Sequence, residues 1–82
     1  MKYILLKRFT AQLESSPILT QKKFWKQLKF LLRDIRHPSL NAKKYDEKRD
    51  IWQARVDDNY RFYFLIKSDA YILLEVKPHP KH

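Results

Sequence analysis

From Pro17 to Arg36 the apolar residues Phe24, Trp25, Leu28, Leu31, Leu32 and Ile35 recur at the three-and-four spacing of one helix face. At 1.5 Å per residue the predicted helix runs about 30 Å, the width of a small domain, so one sheet should lie beneath its whole length. His37-Pro38 closes it, because the residue before a proline is pushed out of the helical region. Upstream, Met1-Lys2-Tyr3-Ile4-Leu5-Leu6-Lys7-Arg8 predicts a strand, its apolar stretch being too short for a signal-peptide core or a membrane span. Thr10 is placed to cap a short helical stretch through Glu14, and Ser16-Pro17 starts the long helix. Residues 38–50 are polar, charged and without sustained period, which predicts a loop pinned by Leu40 and Tyr45. Three strand-like runs follow, 51–56, 60–66 and 71–76, rich in β-branched and aromatic residues and joined by short polar links. The expectation is a single α+β domain over residues 1–82, with two N-terminal helices on one face of a mostly antiparallel four-stranded sheet.

Register follows from the first link, since a one-residue slip exchanges the two faces of a strand. A two-residue Asp58-Asn59 turn would mix charge with apolar groups on both faces. A three-residue loop at 57–59 gathers Trp52, Ala54, Val56, Tyr60, Phe62 and Phe64 on one face for the helix to bury. It also sets Arg55 opposite Arg61 on the other face, with Gln53 and Tyr63 beside them. In the last strand, alternation with Ile72, Leu74 and Val76 as core residues puts Glu75 and Lys77 on the arginine face. His79 joins them if the extended course continues that far.

Charge changes the picture from fold to partners. Eighteen Lys and Arg against nine Asp and Glu leave +9, which favours a polyanion such as RNA, DNA, an anionic membrane or an acidic protein. Nine basic and two acidic residues precede His37, so +7 of that charge lies on the helical half. There Lys22, Lys26, Lys29, Arg33 and Arg36 form a stripe that serves either as a solvated helix face or as a phosphate-tracking surface. At 44% hydrophobic residues the chain can pack a core.

The absence of Gly removes phosphate-cradling glycine loops, so no mononucleotide cofactor is expected. The absence of Cys excludes disulfides, thiol catalysis and Cys-ligated zinc, and suits a reducing cytoplasm. His37, His79 and His82 lack a carboxylate at ligand spacing, and no carboxylate pair stands at strand ends to hold two Mg²⁺, so no metal site is expected. Metal-free RNA cleavage stays open, because RNA carries its own nucleophile in the 2′-hydroxyl and needs only a base, an acid and charge stabilisation. Arg55 and Arg61 can fork onto phosphate oxygens and remain charged at every relevant pH, unless Asp57, Asp58 or Glu75 neutralises them. Lys43 and Lys44 could bring ammonium groups to the same surface, and His79 beside clustered cations could exchange a proton near neutral pH.

Strand, helical pair and three strands, with Trp52-Gln53-Ala54-Arg55-Val56-Asp57-Asp58-Asn59-Tyr60-Arg61-Phe62-Tyr63-Phe64 at the hairpin, resemble the RelE/ParE superfamily of toxin-antitoxin toxins across the whole chain. The Trp-x-x-Arg-(x)5-Arg spacing and the His after the last strand are most similar to its YoeB-like branch, and His-Pro-Ser-Leu at 37–40 is also similar to these toxins. The resemblance implies a cytoplasmic toxin that cuts mRNA on the ribosome, contacting rRNA through its basic surface, and that is held inactive by an acidic antitoxin. By position, Arg55 and Arg61 would bind the scissile phosphate and His79 would be the general acid. Lys43, Lys44 and Lys77 would contact RNA. No membrane and no small-molecule cofactor is implied. Ala42 and Lys43 stand where the YoeB-like branch has its acidic base, so the proton acceptor is unassigned. A ParE-like gyrase inhibitor, a catalytically weak relative and a nucleic-acid-binding module without chemistry are the alternatives.

Overall fold

A computed structural model describes residues 1–80. The order is β1 (Lys2–Leu5), α1 (Lys7–Glu14), α2 (Ile18–Arg33), a 3-10 turn (Pro38–Leu40), β2 (Lys43–Asp46), β3 (Ile51–Arg55), β4 (Tyr60–Lys67) and β5 (Ala70–Pro78). The strands form one sheet in the order β1-β5-β4-β3-β2, antiparallel except for β1 against β5. Both helices lie on one of its faces. Phe9 and Leu13 of α1 and Phe24, Leu28 and Leu31 of α2 are buried against Ala54, Val56, Phe62, Phe64, Tyr71, Leu73 and Val76. Phe24 organises this layer, with its ring 5.0 Å from Phe9 and edge-on to Phe62 at 5.3 Å. Each such buried aromatic stabilises by removing 150–250 Å² from water.

The α+β architecture and the expected register hold, and three details differ. The sheet has five strands rather than four, because residues 43–46 pair with β3 where a loop was expected. An edge strand needs backbone partners more than burial, so Lys43-Lys44-Tyr45-Asp46 carries no apolar alternation to announce it. The helices also shift. α1 starts at Lys7 without a side-chain cap and takes Thr10 into its interior, while α2 stops at Arg33, where Asp34 turns extended.

The third difference lies in β5. Tyr63 is opposite Glu75 but Phe64 is opposite Leu73, so Leu74 is the extra residue of a β-bulge. The bulge moves the phase by one: Tyr71 and Leu73, not Ile72 and Leu74, enter the core, and Val76 follows after the extra residue. Glu75 and Lys77 still reach the arginine face.

Candidate functional site

The helices leave the other face of the sheet open, and its side chains fall into cross-strand rows. Arg55 is opposite Arg61, and Arg61 is opposite Lys77, which puts three cations in one row over β3, β4 and β5. Val56 N–H donates to the Tyr60 carbonyl at 3.1 Å. The neighbouring pair Arg55–Arg61 is therefore of the non-hydrogen-bonded kind, in which Cα atoms approach to about 4.5 Å and side chains crowd. Like charges so placed repel.

The three cations are compensated unequally. The Arg55 guanidinium pairs with the exposed Asp58. Lys77 Nζ lies 3.6 Å from Glu75 Oε2 and 5.1 Å over the Tyr63 ring, and Arg8 reaches the same Glu75 at 3.3 Å. Arg61 has no carboxylate partner among the described residues. Its Nη1 donates instead to the carbonyls of Asp57 at 2.6 Å and Tyr60 at 3.0 Å. Neutral dipoles fix the position of this guanidinium and leave its charge uncancelled. The hairpin supplies those carbonyls without glycine: Asp57 Oδ1 accepts from the N–H groups of Asn59 and Tyr60, both at 2.8 Å, which holds residues 57–60 in one conformation.

The predicted lysines part company. Lys43 is opposite Gln53 and shares the open face. Lys44 is opposite Trp52, on the helix side, where its Nζ sits 4.9 Å over the indole and pairs with Asp50. The hydrogen bond that Lys44 donates to Asp50 raises its pKa above the ordinary value. His79 donates its N–H to the Asn59 carbonyl at 2.7 Å, so pairing continues one residue beyond β5. Alternation from Lys77 then places His79 on the arginine side. Lys81 and His82, the latter one of the three His weighed for metal, lie outside the described residues. Among the described residues no group of three His, Cys, Asp or Glu is arranged to hold a metal ion.

A further residue of the site, Gln27, is marked by its position in the helix pattern. Gln27 sits three residues after Phe24 and four before Leu31, a polar side chain on the apolar face of α2, and it is buried. Its Nε2 donates to the carbonyls of Arg55 at 2.7 Å and Ser39 at 2.9 Å, and its Oε1 accepts from Ser39 Oγ at 2.7 Å. β2 pairing ends at Gln53, so the outward carbonyl of Arg55 has no strand partner, and Gln27 supplies one. The same junction opens a cleft of about 280 Å³ lined by Lys23, Lys26, Gln27, Ser39, Arg55 and Asp57. The basic helix stripe and the arginine row, separate in the sequence reading, meet there.

No protein-family model matches the chain, and no curated protein matches it. Solved structures do. The YoeB/ParE toxin from Agrobacterium tumefaciens superposes with a TM-score of 0.81 at 12% identity, covering 98% of this chain and 100% of that one. RelE in the archaeal RelE-RelB complex from Pyrococcus horikoshii gives 0.77 at 20% identity over 94% and 92%. The isolated RelE toxin of E. coli gives 0.77 at 12% identity over 99% and 86%. The chain therefore has the RelE/ParE toxin fold, as its hairpin motif implied.

Proposed function

We propose that the protein is the toxin of a toxin-antitoxin pair and acts as a metal-independent endoribonuclease on ribosome-bound mRNA in the cytoplasm. The observation that carries this reading is the Arg55–Arg61–Lys77 row, with Arg61 fixed by carbonyls and uncancelled by any described carboxylate, on a fold shared with RelE and YoeB toxins. In the proposed reaction the 2′-oxygen of one nucleotide attacks the adjoining phosphorus. Its proton passes to a base, the bond to the 5′-oxygen breaks, and the products are a 2′,3′-cyclic phosphate and a 5′-hydroxyl.

Each residue then has a task that its placement supports. Arg61 and Arg55 hold the non-bridging oxygens and stabilise the extra negative charge of the pentavalent transition state. Lys77 and Lys43 contact the flanking backbone. His79 protonates the departing 5′-oxygen. Lys44, turned to the helix side and paired with Asp50, contributes to RNA attraction only at longer range. No proton acceptor is assigned, since Glu75 is engaged by both Arg8 and Lys77. The ribosome would supply the substrate's alignment, with rRNA attracted by the basic stripe of α2. An acidic antitoxin fits the same +9 surface, and the RelE fold is seen with RelB in the Pyrococcus complex.

Expression in a bacterial host tests the reading. The expected outcome is arrested translation with mRNA breaks at fixed codon positions, insensitive to chelators and relieved by Arg61→Ala. Growth arrest with intact mRNA would overturn it, and DNA breaks or supercoiling defects would assign the protein to gyrase inhibition instead.

A further inference from the structure

The open face holds an aromatic feature that the cleavage reading leaves unused. Register shifts between Lys44 and Asp46, which makes Tyr45 the extra residue of a bulge in β2 and re-aims its side chain. Tyr45 is 58% exposed, and its ring meets Tyr63 edge-on, centroids 4.9 Å apart at 63°. Tyr63 is only 6% exposed, pinned between Tyr45 and the Lys77 ammonium. It backs Tyr45 without being reachable itself. An edge-on contact leaves a flat face of the Tyr45 ring in solvent.

The position of this face relative to charge is what identifies its ligand. Tyr63 is two residues along β4 from Arg61, about 6.8 Å away, and Tyr45, level with Ile51 and Trp52, lies beyond Tyr63 with its ring 4.9 Å farther on. The row of Tyr63 ends in Lys43, opposite Gln53, on one side and in Glu75, paired with Arg8 and Lys77, on the other. A flat π-surface on the same face as clustered guanidinium groups, with one buried tyrosine between them, matches a short run of nucleotides in which one base stacks while a neighbouring phosphate pairs. Single-stranded nucleic-acid binders combine these two elements, whereas a charged peptide needs only the second.

We propose that Tyr45, backed by Tyr63, is a stacking platform for an unpaired RNA base next to the phosphate held by Arg55 and Arg61. This rests on the RNA reading above and adds the part of the site that grips the base. Because every base presents a π-face, the platform contributes affinity and alignment with little sequence preference.

The test measures binding of the purified protein to a labelled single-stranded RNA ten-mer with 2′-O-methyl groups, which cannot be cleaved, and to an abasic strand of the same length and charge. Tyr45→Ala is expected to weaken binding of the base-bearing strand about ten-fold and to leave the abasic strand unchanged, while Tyr45→Trp retains full affinity. Unchanged binding of the base-bearing strand by Tyr45→Ala, or equal loss on both strands, would overturn the platform. If Arg61→Ala weakens both strands while Tyr45→Ala weakens neither, the RNA reading stands and the platform alone falls. If the parent protein binds neither strand, the platform falls, and the ribosome-dependent reading is decided by the expression test above.

Discussion

The two faces of the sheet are made from the same strands and obey opposite rules. On the helix side, Ala54, Phe62, Phe64, Leu73 and Val76 are buried among apolar neighbours. On the open side the same strands present Arg55, Arg61, Lys77, Gln53, Tyr63 and Glu75, with two arginines at the closest cross-strand spacing. Folding needs the first arrangement and is opposed by the second. The proposed function gives these repelling cations a role, as the partners of an external anion that offsets their repulsion. Stability and activity should therefore separate by face.

The sharpest test of that separation is a pair of substitutions one residue apart. Phe62→Ala should cost about 3–5 kcal/mol in urea unfolding, since it empties the centre of the core. Arg61→Ala should move the unfolding midpoint little while reducing RNA cleavage about 100-fold or more, in line with the loss of one transition-state donor. If Arg61→Ala unfolds the protein, or Phe62→Ala leaves it stable, the contrast fails. Gln27→Leu probes the seam between the faces. It leaves the carbonyl of Arg55 and the hydroxyl of Ser39 without their partner, and should cost about 1–3 kcal/mol by thermal or urea unfolding.

Alkaline pH gives a smaller effect. Burial pushes the phenols of Tyr63 and Tyr71 above their ordinary pKa, with Tyr45 adding to the first and Asp34 to the second. Folded protein therefore keeps these protons at a pH where the unfolded chain has released them. Their stabilising contribution is complete below pH about 10 and is lost as pH rises through the higher folded values. Unfolding followed from pH 9 to 11 should show this decline, and Tyr63→Phe should shallow it. Least of all, Asp58→Ala should change stability by under about 1 kcal/mol, since the Arg55 pair is exposed, while tightening RNA binding measured by titration at low salt.

The sequence made the open face legible because the hairpin has only one loop length that sorts its residues. Trp52, Ala54, Val56, Tyr60, Phe62 and Phe64 cannot share a face unless Arg55 meets Arg61, and the structure has that register. What stayed hidden depends on backbone rather than on side-chain pattern. The bulge at Leu74 is invisible because Ile72, Leu74 and Val76 alternate correctly for a flat strand, and only pairing with Phe64 reveals the slip. β2 is hidden because an edge strand is defined by its hydrogen bonds. A loop would keep Lys43 and Lys44 together, whereas strand geometry sends adjacent side chains to opposite faces. Gln27 was legible in principle, as an amide on a buried helix stripe, but its partners are carbonyls that no sequence pattern displays.

The parallel pairing of β1 with β5 has a consequence for the order of events during synthesis. Lys2 waits for Ala70 and Leu5 for Leu73, so the first strand made finds no neighbour until the last strand has left the exit tunnel. The helices meanwhile lack the Leu73 and Val76 part of their floor. β5 also brings Lys77, which completes the cation row, and leads on to His79. The strand that closes the fold is thus also the one that completes the cation row.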